Sequence, residues 1–407
     1  MTKIKTNRNN TNNVPPLRFP EFSGEWREKY LGQIAEIIKS HGISKEQLSA
    51  KGSPCILYGE LYTKYKFEII NDIYSKTTLN SSRLVKSQAN DVIIPCSGET
   101  AIDISTARCV PYNNILLGGD LNIIRLQSQD GGFFAYQLNG VRKREIACIA
   151  QGVSVVHLYG ENLRKIKVYY PSIEEQRKIT SLLLLIDKRI ATQNKIIEDL
   201  EQLKSALTDQ LYSGQLRFHE FADDWGVSTF GHLTEHFSHR NRNSKHYPVF
   251  SVTKDTGFIP QEEQFESREI TGDDISSYKI IRQGEFAYNP ARINVGSIAR
   301  YDNETPCLIS SLYVCIKPAA DIDSDWLLYL LKSKRAIFYY NLYGEGGVRI
   351  YLFYPNFSRI KVKVPSIQEQ HRIAALLKYI ADKILQEKKL KDLYITQKQF
   401  LLQRMFI

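Results

Sequence analysis

Pro171-Ser172-Ile173-Glu174-Glu175-Gln176 opens a stretch that runs to about Tyr212 and reads as one long amphipathic helix. A Pro-Ser turn followed by acidic residues is a helix start: the serine can cap free N–H groups, and glutamate suits the N-terminal end of the dipole. Behind it, apolar residues fall three and four apart at Ile179, Leu183, Ile186, Ile190, Ile197, Leu200, Leu203, Leu207 and Leu211, the seam of a helix that packs on another helix. Pro365-Ser366-Ile367-Gln368-Glu369-Gln370 opens a second such stretch to Ile407, with its seam at Ile373, Leu377, Ile380, Ile384, Tyr394, Leu401 and Met405. Each helix would span roughly 60 Å at 1.5 Å per residue. The simplest partner for each is the other, packed antiparallel.

A second landmark repeats. Leu17-Arg18-Phe19-Pro20-Glu21-Phe22 has its twin in Leu216-Arg217-Phe218-His219-Glu220-Phe221, and each is followed by a tryptophan, Trp26 and Trp225. Two landmarks recurring in the same order mean an internal duplication with a period of nearly 200 residues. The organisation expected is a polar, disordered tail over 1–16, a globular part over 17–170, a spacer helix over 171–215, a second globular part over 216–364 and a second spacer helix over 365–407. Only the first helix continues through Ser213-Gly214-Gln215 into another domain, so the second lacks a counterpart to that junction.

The two middles diverge more than their ends. Cys55-Ile56-Leu57-Tyr58-Gly59, Asp91-Val92-Ile93-Ile94-Pro95, Tyr247-Pro248-Val249-Phe250-Ser251-Val252 and Gly284-Glu285-Phe286-Ala287-Tyr288 read as strands. Helices are expected from Phe133 to Leu138 and onward, and from Asp325 to Tyr340. Each half then carries a glycine-bearing loop, Gln151-Gly152-Val153-Ser154 and Gly346-Gly347-Val348-Arg349. The fold class is α/β (α+β): two β-rich domains separated by two long helices in an antiparallel coiled coil, with pseudo-twofold duplication. Repeated ends would do one job twice, and dissimilar middles would do related jobs with different specificity.

At 407 residues the chain has ample material for two cores. A net charge of +10 favours a polyanionic partner, nucleic acid first. The six cysteines form no C-x-x-C pair and read as reduced, mostly buried thiols of a cytoplasmic protein. No secretory signal is visible, and no apolar run approaches the roughly 20 residues that span a bilayer; the suspicious run Leu182 to Ile186 sits within the amphipathic helix.

Together, the paired P-S-I-x-E-Q-x-x-I openings, the long helices, the duplicated L-R-F-x-E-F starts and the end Leu402-Gln403-Arg404-Met405-Phe406 resemble the specificity subunit of type I restriction–modification systems. The resemblance covers the chain from Leu17 onward. It implies two target recognition domains, each reading one half of a split, asymmetric sequence in double-stranded DNA. It implies helices that hold two methyltransferase subunits, which methylate adenine N6, and restriction/translocase subunits that join to cut unmodified DNA. It implies no chemistry and no cofactor on this chain, with S-adenosylmethionine, Mg2+ and ATP on the partner subunits. The helices would then act as a ruler between half-sites.

Base reading needs polar side chains on loops that reach a groove. In the first half the candidates are Tyr62, Thr63, Lys64 and Lys66, which interleave aromatic and basic residues, Ser97 and Thr100 in an exposed loop after a strand, and Ser154. In the second they are Arg240, Arg242 and Lys245 in the densest basic-polar loop, Arg292 and Asn294 after a strand, and Arg349 beside Gly346-Gly347. A solvated loop charge is the competing reading for each. Arg142-Lys143-Arg144 would touch phosphate at best.

Three patterns invite other readings. His232-Leu233-Thr234-Glu235-His236 fits the zinc-hydrolase spelling H-x-x-E-H, but the duplication puts Gln33-Ile34-Ala35-Glu36-Ile37 at the same place, so a structural segment is simpler. Asn289-Pro290-Ala291-Arg292 lacks the second proline and the aromatic of an adenine-methyltransferase motif. Gly344-Glu345-Gly346-Gly347 lacks the Lys-Ser/Thr of a phosphate loop and reads as a tight turn. A stand-alone methyltransferase or nuclease, and a coiled-coil scaffold without a DNA role, are the competing functions.

Overall fold

The computed structural model describes residues 13–80, 82, 84–264, 275–347 and 349–407. Most of the expected tail, residues 1–12, therefore lies outside the described residues, while Pro15 is buried and the Asn13 carbonyl accepts the Trp26 N–H at 2.6 Å. The long helices run over Ile173–Ser213 and Ile367–Arg404. The chain divides into two compact units, residues 1–194 with 389–407, and residues 195–388, so each unit takes in part of each helix.

The main strands of the first unit are β1 (Arg27–Tyr30), β2 (Ala35–Lys39), β3 (Leu48–Ile56), β4 (Ser75–Thr77), β5 (Asp91–Pro95), β6 (Arg108–Val110), β7 (Leu116–Leu117), β8 (Leu121–Leu126) and β9 (Lys167–Tyr170). One antiparallel sheet has the order β2-β8-β5-β6, a second the order β4-β3-β7 with β3 parallel to β7. The apolar run in β5 follows from its place between two cores. Alternation sends Val92 and Ile94 into one cluster with Ile124, and Ile93 into another with Ile123.

In the second unit the corresponding strands are β10 (Gly226–Thr229), β11 (Thr234–Phe237), β12 (Val249–Thr253), β13 (Gly257–Pro260), β14 (Lys279–Ile281), β15 (Phe286–Tyr288), β16 (Ile298–Arg300), β17 (Cys307–Ile309), β18 (Val314–Pro318) and β19 (Lys361–Val364). The sheet β11-β18-β15-β16 repeats the first unit's order, β12 is again parallel to β17, and Phe286 and Tyr288 face one core while Ala287 faces the other. Even registers repeat: Arg27 pairs with Tyr170 as Gly226 pairs with Val364. The single helix expected over Asp325–Tyr340 is two, Ser324–Lys332 and Lys334–Tyr343, broken at Ser333, whose hydroxyl caps the second by accepting the Ala336 N–H.

The two sequence landmarks are physically one device. Arg18 of the first L-R-F grips buried Glu175 through two N–H groups at 2.7 Å each, and Arg217 grips buried Glu369 at 2.9 and 2.8 Å. The neighbouring glutamine is a second tie. Gln176 donates to the Pro171 carbonyl at 2.9 Å and accepts the Asp130 N–H at 3.0 Å; Gln370 does the same to Pro365 at 3.1 Å and Asp323 at 2.9 Å. Asp130 and Asp323 are themselves the N-caps of helices Gly131–Asn139 and Ser324–Lys332. Each E-Q dipeptide thus fixes a long helix to its own domain at three points.

The helices pair within each unit. In the first, Asp187 meets Lys398 and Arg189 lies under Tyr394, one number rising as the other falls, as antiparallel packing requires. In the second, Ile197, Leu200 and Leu207 cluster with Leu376, Ile380 and Ile384. The ends of the seam, however, belong to the domains: Ile179 and Leu183 join Trp26, Phe133, Met405 and Phe406 in the first core, and Ile373 and Leu377 join Leu211, Tyr212 and Trp326 in the second. Ile186 and Ile190 are buried, and Leu401 is partly so. Leu203 is not in the seam; it is 48% exposed. The second helix also has its junction. Leu17 donates to the Arg404 carbonyl at 2.8 Å, as Leu216 donates to that of Gln210 at 3.2 Å. The counterpart of Ser213-Gly214-Gln215 is therefore a hydrogen bond to Leu17 of the first L-R-F stretch, which linear reading could not reveal.

Candidate nucleic-acid interface

In both units a five-residue excursion is closed by a two-way backbone bridge. Gln151 and His157 exchange backbone hydrogen bonds at 2.9 and 2.7 Å, Glu345 and Tyr351 at 2.8 Å each. The residue after the first member is a left-handed glycine, Gly152 at φ +124° and Gly346 at φ +111°. A Cβ there would lie 2.1 Å from the Val155 carbonyl oxygen and 2.3 Å from that of Arg349. Glycine is demanded by both conformation and space. Beyond the excursion, buried Leu158 donates to the Cys96 carbonyl at 2.7 Å, one residue past β5, and Leu352 to that of Pro290 at 3.0 Å, two residues past β15. One scaffold presents two different loops. Gly344-Glu345-Gly346-Gly347 is part of it, with Glu345 in the bridge that closes the loop.

In the first unit three of the expected segments converge. Ser97-Gly98 pairs antiparallel with Val156-His157, and the Tyr62 hydroxyl lies within van der Waals reach of a Cβ built on Gly98. Ser97 is a correction. It is buried in this pairing and donates to Asp120 at 3.1 Å, because it continues the strand instead of opening a loop. Thr100 is exposed and caps the turn Ala101–Ile104 by accepting the Asp103 N–H. Thr63 and Lys66 are exposed, while the Lys64 ammonium is held by buried Glu60 at 2.6 Å. Ser154 sits on the exposed excursion, next to Val153 at 97% exposure. Arg142 is engaged inside the unit, on the Ile407 carbonyl at 2.9 Å and over the Tyr169 ring.

In the second unit Arg292, Asn294 and Arg349 lie around the end of β15. Arg292 and Arg349 are exposed, and Asn294 donates to the Asn341 side chain at 3.2 Å. Arg240, Arg242 and Lys245 are exposed too, but their loop belongs to the other sheet. It folds around buried Asn241, whose side chain donates to the Lys245 carbonyl at 2.9 Å and accepts the Lys245 N–H at 3.0 Å, and whose N–H bonds Tyr278 beside β14.

The H-x-x-E-H stretch is split between a helical turn, Phe230–Leu233, and β11, so its histidines do not share a helix face. His236 stacks on Tyr354, burial lowers its pKa with help from the Lys279 charge, and Glu235 is paired with Lys317 at 2.7 Å. Five cysteines are buried and Cys148 is exposed. Burial pushes the Cys55 thiol up to about 11 and the Cys96, Cys307 and Cys315 thiols up to about 12, which makes them unreactive. No helix among the described residues is long and apolar enough to cross a membrane.

Sequence reading missed two aromatic pairs. His157 and Tyr159 stand with ring centroids 6.2 Å apart and planes 25° from parallel; Tyr351 and Phe353 stand 6.2 Å apart at 11°. All four rings are exposed, and each pair flanks its buried leucine. Aligning His157-Leu158-Tyr159 with Tyr351-Leu352-Phe353, 194 residues on, would have found them.

Fold and loops define a class: a duplicated protein with two α/β units of one design and different exposed loops, carried on paired helices. The family model for the type I restriction modification DNA specificity domain matches residues 23–202 and 227–393, and the chain belongs to that family as the specificity subunit of a type I restriction–modification system. It is 21% identical to the type I restriction enzyme MjaVIII specificity subunit of Methanocaldococcus jannaschii over 408 residues, 92% of this chain and 90% of that one. Its fold is similar to the crystal structure of the S subunit of a type I restriction–modification system from M. genitalium, with a TM-score of 0.61, 16% identity and coverage of 97% of this chain and 99% of the other. A second solved chain, from work on complex assembly and conformational transition of the type I R–M system, has a TM-score of 0.58, 16% identity and coverage of 96% and 99%.

Proposed function

We propose that this chain is the non-catalytic DNA-recognition subunit of a type I restriction–modification complex. Each unit reads one half of a split, asymmetric target in double-stranded DNA. The long helices set the gap between the halves and hold two methyltransferase subunits that methylate adenine N6. A restriction subunit joins for cleavage of unmodified DNA. S-adenosylmethionine, Mg2+ and ATP belong to those partners, and the complex works in the cytoplasm.

The observation that carries this reading is the repetition of one loop scaffold with different side chains. A left-handed glycine and the same backbone anchoring recur at Gly152 and Gly346, while the residues displayed do not. Two readers built alike but lined differently suit a target whose halves differ. The test is co-expression with the presumptive methyltransferase subunit, followed by genome-wide mapping of N6-methyladenine. A split motif seen only with both chains supports the reading. Methylation at the same sites without this chain would sink it.

A further inference from the structure

We propose that the ring pairs His157/Tyr159 and Tyr351/Phe353 are stacking platforms, each packing against the face of a nucleobase left exposed where its DNA half-site is opened. This deepens, and rests on, the reading of the chain as a DNA-recognition subunit.

Single exposed aromatics are ordinary on protein surfaces. Here the same two positions carry exposed rings in both units, with the same centroid separation, although neither residue is the same in the two copies. What persists is flatness. His replaces Tyr and Tyr replaces Phe, so neither a hydroxyl nor an imidazole nitrogen is required. Stacking has that tolerance, because every base has a π-face; hydrogen-bonded base reading does not. The backbone that carries the rings is also tied down. The leucine between them is buried and tied to the strand end, and the backbone on the near side is locked by the two-way bridge that closes the excursion. Alternation along an extended segment then points both rings the same way. Beside the first pair lies an open cleft of about 250 Å³ lined by Lys39, Asn122, His157 and Tyr159, with room for a planar group.

An intact duplex offers little to such a surface, since its base faces are covered by their neighbours. A base taken out of the stack for modification uncovers the faces beside it, and that opening costs free energy an apolar ring can offset. The platforms therefore supply affinity for an opened half-site, and the loops supply its sequence.

The experiment uses the full chain co-purified with its methyltransferase subunit. Two variants, His157→Ala/Tyr159→Ala and Tyr351→Ala/Phe353→Ala, are compared with ring-retaining His157→Phe/Tyr159→Phe and Tyr351→Phe. The readouts are binding to duplexes carrying the mapped target, 2-aminopurine fluorescence scanned through each half-site, thermal unfolding, and retention of the methyltransferase subunit. Each alanine pair should weaken binding about tenfold or more, as a lost base–aromatic stack does. It should also abolish a fluorescence change at one half-site only, and leave the motif, melting temperature and subunit retention unchanged. Ring-retaining variants should match the parent chain. Unchanged DNA binding by both alanine variants, or equal loss in the ring-retaining ones, overturns the proposal. Loss of the methyltransferase subunit instead would make the pairs a protein contact and overturn it equally. If the parent complex itself methylates no split site, the underlying reading has failed, a result distinct from any variant outcome.

Discussion

Glu175 and Glu369 show how much can rest on one side chain. Each is buried and takes both arms of an arginine fork. Removing one partner leaves a buried charge without compensation, at a cost of about 3–5 kcal/mol. Glu175→Gln should lower the unfolding free energy obtained from urea titration by an amount in that range, and Arg18→Met together with Glu175→Leu should recover part of it. A loss under about 1 kcal/mol would mean that Arg18 is solvated in place. At Gly152 and Gly346 the backbone itself is the constraint. Gly346→Ala should distort the excursion and cut DNA binding with little change in melting temperature, since the loop contributes little to the core. The glycine loops could be seen in the sequence, but Ser97 was misplaced. Its Ser-Gly-Glu-Thr context reads as an exposed loop after a strand, whereas the strand is continued by pairing with Val156-His157, a contact nearly 60 residues away that local propensity does not carry.

Among elements, the helices were the most legible because their 3.6-residue period survives any tertiary context. Their starts, Pro171-Ser172 and Pro365-Ser366, stand just ahead of Ile173 and Ile367, where helix begins. The seam was less legible. Spacing puts Leu203 and Leu207 on one stripe, yet only Leu207 packs against Leu376, Ile380 and Ile384. The stripe is wider than the contact, and periodicity does not say which edge a partner covers. Ile380→Ala should cost about 2–4 kcal/mol of stability through the cavity it leaves, whereas Leu203→Ala should cost less than about 1 kcal/mol; parallel urea titrations separate the two. A ruler role makes a further demand on the first helix. A repeat inserted within 190–205 should lengthen the gap between methylated half-sites and leave the half-sites themselves unchanged. Altered half-site sequences would refute the ruler.

For the whole molecule, the two-copy plan was readable because Arg18 and Glu175, or Arg217 and Glu369, are distant in sequence but joined in space, and both members repeat. What sequence could not give was the closing of the cycle, in which Leu17 meets Arg404 as Leu216 meets Gln210. The basic character that suggests DNA should appear as salt dependence. Arg242→Ala, Lys245→Ala and Arg349→Ala should each reduce the slope of log affinity against log salt by about 1 where the residue meets phosphate, and an unchanged slope would remove that residue from the interface. The central claim is that each unit reads its own half of the target, and exchanging residues 17–170 for the matching segment of another family member tests it most directly. Mapping N6-methyladenine made by the chimera with its methyltransferase subunit should show one half-site replaced and the other, with the gap, retained. A motif unchanged in both halves, or changed in both, would contradict the account.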